Sequence, residues 1–173
     1  YSGNSVHAPL LSAVKDIFPE EKMWELISEC DINHYWSGTI IQNKGELRVY
    51  FCEVAASFDL ARNQDNGHPL IQGWWKFGIQ EYEDQILRFC PGCGAPGRFK
   101  GVLDKENVDI YTKTNVDLVN KSLKRKRKIV EFDESFLQDS SKPMTIYSSV
   151  IKSKFGRIRA ELGLRQRIRR FFS

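Results

Sequence analysis

The chain contains four cysteines, and their spacing has the clearest chemical meaning of any feature in the sequence. Cys90 and Cys93 form a C-x-x-C pair within the run CPGCG, whereas Cys30 and Cys52 lie far upstream. Two intervening residues allow both sulfurs of such a pair to face one centre, and proline and glycine permit the tight turn that this needs. The pattern therefore predicts one metal site with Cys30, Cys52, Cys90 and Cys93 as ligands.

Two other uses of the cysteines fit the sequence less well than a metal site. A thioredoxin-like redox pair follows a strand and precedes a helix, but here a predicted helix precedes Cys90 and a Gly/Pro loop follows Cys93. Two disulfides would suit a small secreted scaffold rather than a chain of 173 residues with 41% apolar residues. The sequence shows no signal peptide and no run of about 20 apolar residues, so we expect a reducing, cytoplasmic setting.

Four cysteines can bind either a tetrahedral zinc ion or an iron–sulfur cluster. Structural zinc sites commonly use two closely spaced pairs, whereas 21 residues separate Cys30 from Cys52 in this chain. A [4Fe–4S] cube is wider than a single ion and accepts ligands from scattered loops. The spacing favours iron–sulfur but leaves zinc open.

Other side chains near the cysteines could also contribute to such a site. His34 follows Cys30 by four positions and is an alternative ligand, although four cysteines already complete a ligand set. Trp36, Trp74 and Trp75 could shield a cluster from water, or they could be ordinary core aromatics.

We expect an α+β fold to position the cysteines. In this fold a small cluster-binding domain, which contains a β-hairpin, is surrounded by helices. Apolar periodicity predicts helices over residues 8–18, 19–29, 53–61, 79–89 and 115–128. Two β-rich runs, residues 37–41 and 46–51, flank Asn43-Lys44-Gly45 and predict the hairpin. Cys30 then precedes the hairpin and Cys52 follows it.

This order of elements resembles the Twitch domain, the shortened SPASM module at the C-terminus of some radical SAM enzymes. The resemblance covers about residues 30–108 and is carried by five features: Cys30, Gly45, YFCEVAASFD (50–59), GWW (73–75) and FCPGCG (89–94). It implies that Cys30, Cys52, Cys90 and Cys93 ligate an auxiliary [4Fe–4S] cluster. In a class resembling 2-deoxy-scyllo-inosamine dehydrogenase, such a cluster accepts an electron from a substrate radical.

The chain departs from the family in two respects. Gly45 lies seven positions before Cys52, farther than is usual in Twitch hairpins. The C-x-x-x-C-x-x-C motif of radical SAM enzymes is missing, and the four cysteines are already assigned. We therefore expect S-adenosylmethionine to act only through a missing N-terminal catalytic domain or a partner chain, on a small-molecule or peptide substrate.

Charge is concentrated at the C-terminal end of the chain. Residues 151–173 contain eight Lys/Arg and one acid, which gives +7, whereas the whole chain carries +4. Residues 145–172 are predicted to form a basic amphipathic helix, which could bind nucleic acid or an anionic membrane surface, or pack on the missing domain. The expected division is 1–29, N-terminal helices at the end of a catalytic domain; 30–110, the four-cysteine domain; and 111–173, a basic helical region.

Overall fold

A computed structural model describes residues 6–30, 38–122 and 127–137. Within these residues short helices alternate with small sheets, so the predicted α+β class is confirmed. His34, Trp36 and the predicted basic helix lie outside the described residues.

The elements follow one another in short segments. The helices are α1 (Val14–Ile17), α2 (Glu20–Ser28), α3 (Glu53–Ala61), α4 (Glu83–Phe89) and α5 (Val116–Ser122). The strands are β1 (Val6–His7), β2 (Thr39–Asn43), β3 (Glu46–Tyr50), β4 (His68–Pro69), β5 (Val102–Leu103), β6 (Val108–Tyr111) and β7 (Lys128–Glu131).

The predicted hairpin is present as antiparallel β2 and β3, with Asn43 opposite Glu46. Lys44 and Gly45 form its two-residue loop with φ angles of 47° and 88°, the left-handed backbone that such a tight loop requires. Strand β4 adds to the other side of β3 and was not predicted. Its Pro69 is compatible with an edge strand, where a missing N–H leaves no central ladder bond unmade.

Helices α2 and α3 confirm the sequence predictions closely. Pro19 precedes α2, where its fixed φ suits a helix start, and Glu20 and Glu21 occupy the first turn. Helix α3 begins directly after Cys52 and ends at Ala61, as predicted. The helix predicted over 79–89 is present in part, as a 3₁₀ turn (Ile79–Tyr82) followed by α4.

The helix predicted over residues 8–18 was wrong for its first half, since α1 spans only Val14–Ile17. The carbonyl of Leu10 accepts a hydrogen bond from the N–H of Gly94 at 2.9 Å. That carbonyl is therefore bonded to a distant segment instead of to a helical turn of its own. A hydrogen bond to a distant segment therefore takes the place of the local helix that the apolar periodicity predicted.

The helix predicted over 115–128 was also too long, because α5 is described only over Val116–Ser122 and Lys128 begins strand β7. Strand β7 pairs in parallel with β6, and Val108 lies opposite Lys128. Strand β1 pairs with β5 in a separate antiparallel ladder. Neither ladder was predicted.

The hydrophobic core lies between the hairpin, α3 and α4, and it includes three of the four cysteines. Its largest fully buried apolar side chains are Tyr50 at the end of β3, Phe51 directly after it, and Tyr82 directly before α4. The buried cluster includes Ile27, Val49, Tyr50, Phe51, Phe58, Tyr82, Phe89, Cys52, Cys90 and Cys93. Among the described residues, no helix has the length and apolar character needed to cross a membrane.

Candidate metal centre

Cys30 is delivered by the C-terminal end of α2. Its backbone N–H donates to the carbonyl of Ile27 at 3.2 Å, and its side chain is buried. Helix α2 packs against the 3₁₀ turn Cys90–Gly92, which brings the Cys30 segment to the C-x-x-C pair.

Cys52 lies between the end of β3 and the start of α3. Its sulfur accepts a hydrogen bond from the N–H of Ala55 at 3.3 Å, so Cys52 is the N-cap of α3. Burial raises the pKa of the Cys52 thiol to about 12, and the nearby Cys30 adds to this rise, against the lowering effect of the Ala55 N–H.

Cys90 and Cys93 close the turn that follows α4. The N–H of Cys93 donates to the carbonyl of Cys90 at 3.1 Å, and the Cys93 sulfur accepts from the N–H of Ala95 at 3.3 Å. Burial raises the pKa of the Cys93 thiol, and Cys30 and Cys52 act in the same direction. Three of the thiols are therefore close enough to influence one another electrostatically.

All four cysteines line a single small cavity of about 20 Å³. Each is a free thiol and each is buried. The remaining wall of the cavity is apolar and is formed by Phe51, Val54, Ala55, Phe58, Phe89, Ala95 and Pro96. The structure thus brings together the four cysteines that the sequence predicted as ligands.

No three His, Cys, Asp or Glu side chains in the described parts of the chain are arranged to hold a single metal ion. This finding and the shared cavity are compatible. A tetrahedral zinc site needs every sulfur about 2.3 Å from one point, whereas lining a cavity requires only that each sulfur reach its wall. What the four thiols share in this structure is the wall of one cavity.

The N-terminal segment supports the C-x-x-C turn from outside. The N–H of Val14 donates to the carbonyl of Cys93 at 3.2 Å, and Gly94 donates to Leu10. Residues expected to end a preceding domain therefore contact the cysteine region directly. The division of the chain into three domains stays a prediction.

Two buried amides near the cysteines were not predicted as site residues. Gln85, on α4, is fully buried and bonds to the backbone of β3 and Phe51. Asn115 is also fully buried, and its Nδ2 donates to the carbonyl of Gly92 at 2.8 Å and to that of Leu11 at 2.9 Å. In the sequence, the only sign that Gln85 or Asn115 is buried is that each is a polar residue next to apolar ones.

The tryptophans flanking the cysteines do not line the cavity in the described region. Trp74 is half-buried and packs on the core, while Trp75 is 60% exposed. Their rings meet edge to face with centroids 6.4 Å apart. The aromatic shielding of the cavity comes instead from phenylalanines.

Comparison of the chain with family models, with curated proteins and with solved structures found no match. Its function therefore has to be inferred from the four-cysteine cavity and the elements around it.

Proposed function

We propose that the chain holds an auxiliary [4Fe–4S] cluster on Cys30, Cys52, Cys90 and Cys93 and serves in a radical SAM enzyme as a Twitch-like domain. The observation that carries this proposal is the burial of all four cysteines around one cavity. Three separate segments of the chain deliver the four thiols to this one cavity. Four unrelated core thiols would have no reason to lie together in this way.

The spacing of the cysteines along the chain favours a cluster over a single ion, because 21 residues separate Cys30 from Cys52. A cube of iron and sulfide binds its four thiolates at separate corners, so the sulfurs need to surround a space and not to meet at a point. Among the described residues, all four thiols lie on the wall of one cavity.

The side chains around the thiols suit an iron–sulfur centre. Phe51, Phe58 and Phe89 form apolar walls that would exclude water, and solvent exposure is one determinant of cluster potential. The sulfurs of Cys52 and Cys93 each accept a backbone N–H, and hydrogen bonds to the sulfurs also tune that potential. A cluster held by all four cysteines would have no iron open to substrate, so the chemistry it would supply when bound is one-electron transfer.

Cleavage of S-adenosylmethionine is assigned to a catalytic domain or partner chain outside this sequence. That unit would carry the C-x-x-x-C-x-x-C motif, and the substrate would be a small molecule or peptide. Upstream coding sequence that contains this motif would support the assignment.

The experiment is anaerobic purification and reconstitution of the full chain, followed by iron, sulfide and zinc analysis. The expected protein is brown, absorbs near ~400 nm and contains about four irons and four sulfides. A matched series of Cys→Ala variants at the four positions should lose this absorption. A colourless parent with one tightly bound zinc would overturn the proposal.

A zinc site is the second candidate, and the size of the cavity favours it. A space of about 20 Å³ accommodates one water-sized particle, which matches a single ion better than a cube. The cysteines would then be structural, chelation should unfold the domain, and the chain would be a binding module. Its basic tail, outside the described residues, is the proposed contact for nucleic acid or an anionic membrane.

A further inference from the structure

Gln85 connects β3, which leads into Cys52, to α4, which leads into Cys90 and Cys93. Its side chain is fully buried, although glutamine carries a polar amide. The Oε1 atom accepts from the N–H of Phe51 at 3.1 Å, and Nε2 donates to the carbonyl of Val49 at 3.1 Å. The amide thus bonds to strand β3 as a neighbouring strand would.

The position of these bonds relates them to the cysteines. Phe51 immediately precedes Cys52, and Gln85 lies five residues before Cys90 on α4 and its continuing turn. At a rise of 1.5 Å per residue, the Cα atom of Gln85 is about 7.5 Å along the helix axis from that of Cys90. A shift of α4 along β3 would therefore change the separation of Cys52 from the C-x-x-C turn.

We propose that Gln85 is a positioning residue for the four-cysteine site, because its amide fixes the register of α4 against β3. This inference rests on the proposed metal-binding function. Buried polar groups are kept when their hydrogen bonds are fully made, and loss of a partner leaves the backbone groups of Val49 and Phe51 without their present bonds.

Two other contacts hold α4 next to the sheet. They involve side chains only, whereas Gln85 bonds directly to the backbone of β3 and of Phe51. The ring of Tyr50 packs against Phe89 with centroids 6.3 Å apart, and His68 Nε2 lies 2.9 Å from Asp84 Oδ1. We therefore expect Gln85→Leu to fold while it holds the cysteines in a changed arrangement.

The test compares the parent chain with Gln85→Leu and with Asn43→Leu as the matched control. Asn43 is another buried amide with two hydrogen bonds, to Gln64 and Asp65, but it lies at the opposite end of the hairpin from Cys52. Each full-length protein is melted without metal and is then loaded anaerobically with iron and sulfide, and separately with zinc. Loading, affinity for zinc and the absorption and EPR spectra of the cluster are measured.

Gln85→Leu should bind the metal or cluster at least about tenfold more weakly or with an altered spectrum, as expected when the support of a ligand is lost. Asn43→Leu should lower the melting temperature without changing metal binding. Equal metal affinity and identical spectra in Gln85→Leu and the parent would overturn the inference and leave the proposed function standing. A parent that binds neither metal nor cluster would overturn both. If Gln85→Leu does not fold, Gln85→Glu, which keeps the acceptor for Phe51, is compared under the same criteria.

Discussion

The sulfur of Cys52 lies 3.3 Å from the backbone nitrogen of Ala55 and accepts its hydrogen bond. One thiol therefore both lines the shared cavity and caps the first turn of α3. The positive end of the helix dipole also faces this sulfur, and it would stabilise a thiolate more than a neutral thiol. Loss of this side chain should affect the site and the fold together.

Cys52→Ala is expected to lose metal binding and to lower the free energy of unfolding even without metal. The lost cap bond accounts for less than the ~1 kcal/mol of an oxygen cap, because sulfur is a weak acceptor, and the space left by the sulfur adds to the loss. Cys30→Ala should also lose metal but retain more stability, because α2 is anchored by its own buried Met23, Leu26 and Ile27. Metal content and thermal melting of both variants measure the difference. Full metal binding by Cys52→Ala would show that Cys52 is only a core thiol.

Gly94→Ala should destabilise the chain by about 1–3 kcal/mol, in the range known for overpacked cores. A Cβ at this position would lie 2.1 Å from the carbonyl oxygen of Pro9 and 2.9 Å from that of Ser12. Gly92→Ala is the control, since the nearest atom to its Cβ is a methyl group of Thr114 at 3.8 Å. Urea denaturation of the two variants should separate them, and equal midpoints would contradict the close packing of residues 9–12 on the C-x-x-C turn.

Tyr50→Phe should destabilise the fold by about 1.5–3 kcal/mol, the range for a hydrogen bond to a charged group. The Tyr50 hydroxyl donates to Asp59 Oδ2 at 2.5 Å, and both side chains are fully buried. The carboxylate also accepts two bonds from Asn66, at 2.7 and 2.6 Å, and so ties the hairpin, α3 and the following loop together. A double-mutant cycle with Asp59→Ala, which removes the acceptor, should show a coupling energy above about 0.5 kcal/mol, the lower limit for residues in contact. Additive effects would show that the two groups do not interact.

The stability of the chain should fall in acid partly through Asp16. Burial raises the pKa of this carboxyl, but hydrogen bonds from Thr112 and Thr114 outweigh that effect and lower the pKa below its usual 3.8. A folded-state pKa below the unfolded value means that ionised Asp16 stabilises the fold above about pH 4, and that this contribution disappears as the pH falls through the folded-state pKa.

Asp16→Asn should therefore reduce the free energy of unfolding at pH 7 and flatten its decline between about pH 5 and pH 3. Denaturation of the parent and the variant across this range measures the slope. Thr114→Val removes one of the bonds to Asp16 and should show the same direction with a smaller effect. Parallel profiles for the parent and Asp16→Asn would exclude Asp16 as a contributor.

Local signals were sufficient to predict α2, α3 and the hairpin. Pro19 followed by two acids predicts the start of α2, and the Lys44-Gly45 loop provides the left-handed backbone that joins β2 to β3. These elements depend on residues close together in the chain. The four cysteines that line the cavity were equally accessible from the sequence, because cysteine is rare and its placement at the ends of predicted elements is visible without coordinates.

Only the tertiary structure decided how those elements meet. The pairing of β6 with β7 joins segments separated by a predicted helix, and Leu10 bonds to Gly94 instead of to its own helical turn. Such pairings depend on which distant backbone groups come together, and no local periodicity specifies this. The burial of Gln85 was likewise not visible in the sequence, where this glutamine resembles an ordinary surface residue of an amphipathic helix. Its burial follows from the packing of α4 on β3, where two backbone groups needed a hydrogen-bonding partner.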